Sequence, residues 1–148
     1  MTERVFKILP DGDGESRPSR LIPKACFTTE ATDETTQSFY EAEDGSVSTG
    51  VWECPPCRMD IDRYPVNEMM TIICGALVLT NGEGVQETFG PGEVVYVSKG
   101  STLTWHITER LRKYYMTSSS WEGTEFGSTI SSTADWRQPK EDWLPGGG

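Results

Sequence analysis

The chain contains very little histidine: of its 148 residues only His106 is one. A borderline transition metal prefers imidazole or thiolate ligands, so a site built from several histidines is excluded. Basic residues are also scarce, with 13 Lys and Arg against 23 Asp and Glu and a formal net charge of -10. Phosphate backbones and anionic lipids repel a protein of that charge, which argues against nucleic acid and membrane surfaces as partners.

Long apolar segments are missing as well. The most apolar run, residues 69–79, contains Gly75 and is far shorter than the roughly 18 residues that a membrane span needs. The first residues carry no apolar segment of the kind found in signal peptides. The protein is therefore expected to be cytoplasmic, with free thiols at Cys26, Cys54, Cys57 and Cys74.

Helical periodicity is also missing, since no segment of twelve or more residues shows it. Short apolar segments instead alternate with turn residues, and Asn81-Gly82 is typical of a hairpin turn. Closely spaced short strands favour a sandwich or a closed barrel, which also protects the strand edges. Strands are predicted over residues 46–54, 58–64, 68–74, 76–80, 85–89, 94–97, 103–107 and 113–118.

The length suits one all-β domain with three parts. Residues 1–45 are predicted to be an N-terminal extension that packs on the barrel, with an edge strand over residues 5–9. Residues 46–118 would form the barrel core. Residues 119–148 would form a tail anchored across the surface by its aromatic side chains, Trp121, Phe126, Trp136 and Trp143.

Two spaced patterns occur within residues 46–118. Glu68 is followed seven positions later by Gly75, and Gly92 is followed eight positions later by Gly100. These patterns resemble the two motifs of the cupin superfamily. The Trp-Glu-Cys and Arg-Lys-Tyr-Tyr segments at residues 52–54 and 112–115 resemble in particular the (S)-ureidoglycine aminohydrolase-type cupin domain. The resemblance implies a double-stranded β-helix, or jelly roll, around a cavity.

The positions that bear metal ligands in cupins are mostly altered in this chain. The resemblance places Asp62 and Tyr64 where the first motif has two histidines, and Leu103 where the second has one. No metal cofactor is therefore expected, and the remaining alternative is a divalent metal held by Asp62 and Glu68. Ureidoglycine aminohydrolases look like duplicated, metal-dependent cupins, whereas this chain has a single copy.

The orientation of strand 58–64 decides which side chains reach the cavity. Arg58, Asp60, Asp62 and Tyr64 have one parity, and a solvated face is an equally good interpretation because Met59 and Ile61 occupy the other. The cupin resemblance favours the first set, because the ligand positions of the motif face inward.

Three residues are therefore predicted to be catalytic, as implied by the cupin positions. Glu68 would act as base or acid, Tyr64 would donate a hydrogen bond, and Asp62 would assist. Buried carboxylates are costly unless they are paired, so Arg58 or Lys113 is expected to be their partner.

The aromatic residues of the barrel are candidates for the wall of a binding site. Individually each fits a packing role, but several around one mouth would form a flat apolar wall for a small ligand. Substrate binding is predicted for Arg58, Trp52, Tyr96, Trp105 and Tyr115. The Cys54-Pro-Pro-Cys57 segment lies between strands and is expected to be a stiff turn rather than a redox or zinc motif.

Two functions of different classes fit these features. The first is a metal-independent enzyme that performs proton transfer on a small organic molecule, as an isomerase, cyclase, dehydratase or lyase. The second is a non-catalytic ligand-binding or accessory cupin, and a resemblance to ethanolamine-utilisation cupins keeps it open. A cavity in which titratable groups converge would favour the enzyme, and an interior filled by apolar side chains would favour the structural role. A homodimer is expected, since two-fold dimers are the commonest homo-oligomers.

Overall fold

The computed structural model describes residues 5–12, 15–19, 21–29 and 33–119, and these residues form strands with one short 3-10 turn at Lys24–Cys26. The prediction of a single-domain all-β jelly roll is confirmed. The strands are β1 (Arg17–Pro18), β2 (Thr35–Glu41), β3 (Val47–Cys54), β4 (Cys57–Ile61), β5 (Asn67–Asn81), β6 (Gln86–Phe89), β7 (Val94–Val97) and β8 (Leu103–Ser118).

Two long strands hold the fold together. β5 and β8 pair antiparallel along nearly their whole lengths, from Asn67 opposite Ser118 to Asn81 opposite Leu103. At one end of this pair, β7 adds to β5 and β3 adds to β8. At the other end, β6 adds to β5 and β4 adds to β8. The long strands therefore carry one continuous eight-stranded sheet from one layer into another, and the interior lies between these two layers, or sheets, of the jelly roll.

The sequence predicted each long strand as two shorter ones. β5 continues through Gly75, which has a φ of +95° and lies where the pairing register with β8 shifts. A Cβ atom at this position would lie 2.1 Å from the carbonyl oxygen of Arg110, so only glycine fits. The glycine is therefore a bulge inside one strand and not a turn between two.

The edge strand predicted over residues 5–9 is wrong. These residues form no strand, and Val5 is 99% exposed. β2 covers the edge of β3 instead, from Thr35 opposite Glu53 to Glu41 opposite Ser48, and β1 then pairs with β2. β2 therefore occupies the edge of β3, and residues 5–9 lie outside the sheet. The predicted tail lies outside the described residues except for Ser119.

Alternate side chains along the strands are buried and fill the space between the sheets. In β4, Cys57, Met59 and Ile61 are buried between exposed neighbours. Trp52 from β3 and Trp105 from the first half of β8 meet edge to face, with ring centroids 5.9 Å apart. The two sheets therefore touch through these indoles. None of the four cysteines forms a disulfide in the structure, and Sγ of Cys54 lies 3.6 Å from Sγ of Cys57. Within the described residues no helix is long and apolar enough to cross a membrane.

Candidate functional site

A cavity of about 370 Å³ lies between the sheets. Its size falls within the usual range for sites that bind small molecules. Charged, aromatic and small polar side chains share its wall. The lining residues used below are Ser19, Glu34, Trp52, Met59, Tyr64, Glu68, Trp105, Lys113 and Tyr115.

Glu68 is the centre of a buried polar cluster in the cavity wall. Its Oε1 accepts a hydrogen bond of 2.5 Å from the Tyr64 hydroxyl, and its Oε2 accepts one of 2.6 Å from the Lys113 ammonium. Glu68 and Lys113 are only 2% and 3% exposed. Each carboxylate oxygen therefore has one fixed donor, and the two opposite charges compensate each other away from water.

The Lys113 ammonium is fixed by aromatic rings as well as by Glu68. Lys113 lies directly opposite Trp52 in the β3–β8 ladder. Its Nζ lies 4.7 Å from the ring centroid of Trp52 and 4.6 Å from that of Trp105. Rings at this distance attract a cation through their quadrupole. The arrangement therefore gives the lysine side chain a defined position.

Tyr64 is held as a neutral phenol. Burial and, after it, the Glu68 carboxylate raise the pKa of Tyr64 well above its ordinary value. Its ring lies parallel to the Trp105 ring, with centroids 6.4 Å apart. Tyr64 is thus a hydrogen-bond donor to Glu68 and cannot serve as a base near neutral pH.

Two other buried polar groups of the cavity lack a hydrogen bond of ordinary geometry within the described residues. Among the described residues, neither oxygen of Glu34 makes a hydrogen bond of ordinary geometry, and neither does the indole nitrogen of Trp105. Burial raises the pKa of Glu34, although the nearby Ser19 hydroxyl, Trp52 indole and Lys113 ammonium oppose it. Buried polar groups are nearly always paired, so these two need an explanation.

Three predicted site residues lie elsewhere. Arg58, Asp62 and Tyr96 are exposed and do not line the cavity. The predicted inward face of residues 58–64 is wrong, because Met59 and Ile61 point inward on β4. Tyr96 belongs to the outward face of β7, where the alternating Val95 and Val97 are buried. The structure thus gives no cavity contact for a catalytic Asp62 or for substrate binding by Arg58 and Tyr96.

Tyr64 reaches the cavity by a different route from the predicted one. β4 ends at Ile61, and the chain then turns, so strand parity does not apply to Tyr64. Its backbone N–H donates to the carbonyl of Ser101, and its carbonyl accepts from the N–H of Gly100. This turn pairing, and not a strand, aims the phenol at Glu68. Trp52, Trp105 and Tyr115 line the cavity, and Tyr115 shares a 2.9 Å hydrogen bond with Thr36.

The residues at the ligand positions of a metal cupin do not fit a metal. Leu103 offers no donor atom, Asp62 is exposed, and both oxygens of Glu68 are bonded to Tyr64 and Lys113. In the part of the chain that the structure describes, no group of three or more His, Cys, Asp or Glu could hold a metal ion. A divalent cation prefers several oxygen ligands at once, which this set does not supply.

Sequence reasoning missed Glu34 and underrated Lys113. Glu34 lies in a segment rich in Thr and acidic residues, where nothing distinguishes it from its neighbours. Lys113 was considered only as a partner for buried carboxylates. The sequence carries one signal for Lys113. Its alternate neighbours along the strand, Leu111 and Tyr115, are apolar, which indicates that this side of the strand, and Lys113 with it, faces inward.

The buried Glu34 predicts a characteristic pH dependence. A carboxyl whose pKa is higher in the folded than in the unfolded state stabilises the fold below its ordinary pKa, and this contribution is lost as the pH rises through the folded pKa. Glutamine does not titrate, so the Glu34→Gln variant does not lose this stability as the pH rises. The melting temperature of the variant relative to wild type is therefore expected to increase between about pH 4 and pH 7, by roughly 1–4 °C.

The measurement is thermal unfolding of both proteins across that pH range. Glu109→Gln is the control, since Glu109 is exposed on β8 and the substitution removes a carboxyl group outside the cavity. A Glu34→Gln difference that stays flat, or that falls with rising pH, would contradict the prediction.

Comparison with solved structures identifies the same fold in several proteins. A DUF861-family protein of unknown function from Pseudomonas syringae pv. tomato str. DC3000 superposes with a TM-score of 0.64 at 23% identity, covering 71% of this chain and 45% of its own. The chain therefore spans less than half of that neighbour's length. The EutQ protein of Clostridium difficile gives a TM-score of 0.53 at 18% identity, covering 66% of this chain and 70% of its own.

A third neighbour is the polyketide cyclase RemF from Streptomyces resistomycificus. It superposes with a TM-score of 0.56 at 15% identity and covers 80% of both chains. At these identities the three neighbours show the fold alone. No curated protein matches the sequence. Residues 41–115, just over half of the 148 residues, match the family model of the EutQ-like cupin domain, so the chain belongs to the EutQ-like cupin family.

Proposed function

We propose that this cytoplasmic cupin is a metal-independent enzyme that moves a proton within a small organic substrate, as an isomerase, cyclase, dehydratase or lyase. One observation carries the proposal: Tyr64, Glu68 and Lys113 form a hydrogen-bonded cluster in the wall of a cavity large enough for such a substrate. Titratable groups that converge in a pocket are the usual sign of acid/base chemistry. The polyketide cyclase among the neighbours shows that the fold is compatible with an enzyme.

The proposed step is proton abstraction next to a carbonyl group. Each oxygen of Glu68 keeps a lone pair after accepting its bond from Tyr64 or Lys113. Glu68 takes the proton from the carbon, the C–H electron pair moves into the carbonyl, and an enolate forms. Trp105 lines the same cavity, and its indole N–H, which makes no hydrogen bond of ordinary geometry among the described residues, would stabilise the enolate oxygen. Glu68 then returns the proton to another carbon, or to a leaving group that departs.

Deuterium exchange tests this step without knowledge of the natural substrate. A panel of small ketones and cyclic carbonyl compounds is incubated with the full chain in D₂O, and loss of the α-proton signal is followed by NMR. We expect exchange above the buffer rate for part of the panel. Exchange at the buffer rate throughout a panel that spans the cavity's size would count against the enzyme.

Chelation separates the proposal from its metal-dependent alternative. We expect exchange or ligand binding to survive dialysis against EDTA, because the described side chains supply no metal-ligand set. The alternative is a metal-dependent aminohydrolase-like cupin with a cation at Asp62 and Glu68, as the resemblance to ureidoglycine aminohydrolases suggests. Loss of activity in EDTA that one divalent metal restores would establish that alternative.

A non-catalytic ligand-binding or accessory cupin is the second candidate function. One observation favours it: both oxygens of Glu68 are already bonded, as in a structural ion pair. In that case Glu68→Gln would lower the melting temperature and leave ligand affinity unchanged. If the protein is an enzyme, Glu68→Gln should instead abolish most of the turnover while the ligand still binds.

We also propose that the protein is a homodimer. An exposed apolar stripe crosses the outer face of the sheet, formed by Tyr96 on β7, Met69 on β5 and Met116 on β8, which are cross-strand neighbours. They are 54%, 49% and 48% exposed. Contiguous exposed apolar surface of this kind marks interaction sites.

Light scattering tests the dimer. At micromolar concentration we expect about twice the chain mass of 16.5 kDa. Met69→Glu should shift the particle toward the monomer, whereas Glu87→Gln on β6 should not. A 16.5 kDa particle for the wild-type chain would refute the dimer.

A further inference from the structure

Glu34 and Trp105 place buried polar atoms without ordinary hydrogen bonds in the wall of the cavity. Glu34 is 7% exposed and Trp105 is 2% exposed, and both line the cavity. Among the described residues, the two carboxyl oxygens and the indole nitrogen make no hydrogen bond of ordinary geometry, although the Ser19 hydroxyl and the Trp52 indole lie near Glu34. They come from distant parts of the chain, since Glu34 precedes β2 and Trp105 lies in the first half of β8. Within the described residues no hydrogen bond of ordinary geometry satisfies either group.

The chemistry of the two groups restricts what can satisfy them. An indole N–H can only donate, so it requires an acceptor atom. A carboxylate can only accept, and the two oxygens of Glu34 have room for several donors. Lys113 does not serve, because its ammonium is bonded to Glu68 at 2.6 Å and lies between two indoles. Glu68 and Lys113 compensate each other, whereas Glu34 forms no salt bridge within the described residues.

We propose that the cavity binds a small organic ammonium that carries a carbonyl oxygen a few atoms from its nitrogen. The ammonium group would donate to Glu34, and the carbonyl oxygen would accept from the Trp105 indole. An ammonium supplies up to three donors and one positive charge, which suits a buried carboxylate that forms no salt bridge within the described residues. The inference rests on the proposed function, because the carbonyl held by Trp105 is the one whose neighbouring carbon Glu68 would deprotonate.

The probes are glycinamide and β-alaninamide, which combine an ammonium with an amide carbonyl at two spacings. Glycolamide and 3-hydroxypropanamide replace the ammonium by a hydroxyl group, and propylamine lacks the carbonyl. The readout is the indole ¹⁵N–¹H signal of Trp105 in the full chain, assigned by its disappearance in Trp105→Phe. At least one ammonium amide should shift this signal saturably and bind about tenfold or more tighter than its hydroxyl analogue.

Matched variants locate the effect. Glu34→Gln should reduce the preference for ammonium over hydroxyl probes to about twofold or less, whereas Glu109→Gln, at an exposed carboxyl on β8, should leave it unchanged. Propylamine should bind without moving the Trp105 signal as the amides do. If no probe shifts the Trp105 signal, or if ammonium and hydroxyl probes bind equally, the proposed ligand class is overturned.

The proposed function fails separately from the ligand class. Saturable binding of the ammonium amides without deuterium exchange on any carbonyl compound supports the ligand site and removes the enzyme. Deuterium exchange that depends on Glu68, together with equal binding of ammonium and hydroxyl probes, supports the enzyme and removes the ammonium.

Discussion

Replacing Glu68 by glutamine is expected to lower the rate of proton exchange about 10²-fold or more while the protein stays folded. The amide keeps the shape of the side chain and can still accept the hydrogen bond from Tyr64, but it cannot take up a substrate proton. Losses of this size are usual when general acid/base help is removed. The measurement is the exchange rate at saturating substrate, with the melting temperature of the same sample.

Tyr64→Phe is a milder variant of the same hydrogen-bonded cluster. It removes one donor from Oε1 of Glu68 and keeps the ring beside Trp105. Because Lys113 still holds the other oxygen, we expect a smaller loss, of roughly tenfold or less. Unchanged exchange in a folded Glu68→Gln protein would remove Glu68 from the mechanism. A Tyr64→Phe loss as large as that of Glu68→Gln would show instead that the two groups act as one unit.

The strands of this fold could be predicted where local turn chemistry marks their ends. Asn81 caps the turn at residues 81–85 through its side chain, which accepts bonds from the N–H groups of Glu83 and Val85, and this signal is visible in the sequence. The continuity of β8 was not visible. The exposed residues 108–110 interrupt its apolar pattern, yet the ladder with β5 carries the strand through. Pairing with a distant strand has no local signature.

The site could be predicted only in part, for the same reason. Glu68 could be predicted because its spacing to Gly75 resembles the first cupin motif. Its two donors come from a turn at Tyr64 and from the opposite strand at Lys113, and only the fold brings them together. Asp62 was predicted to share the cavity because the cupin resemblance was taken to turn the face of Arg58 and Asp60 inward, whereas β4 buries the opposite face. Tyr64 still reaches the cavity because β4 ends at Ile61, and alternation holds only while the ladder lasts.

Lys113→Met is expected to produce the largest loss of stability, about 3–5 kcal/mol in the free energy of unfolding. Methionine fills most of the space of the lysine stem, but it leaves the carboxylate of Glu68 buried with the Tyr64 hydroxyl as its remaining donor. It also removes the cation that lies against Trp52 and Trp105. Chemical denaturation at neutral pH measures the loss. Lys7→Met, at an exposed position near the N-terminus, is the control and should change little.

The double variant Glu68→Gln/Lys113→Met decides whether this loss reflects an unpaired charge. If it does, removing the carboxylate as well restores much of the stability, because a neutral amide costs far less to bury than an ion. The two substitutions should then show a coupling energy of about 2 kcal/mol or more in a double-mutant cycle. Strictly additive effects would mean that Lys113 stabilises the fold through its indole contacts and not through Glu68. The ion pair could then not be the device that positions the proposed base.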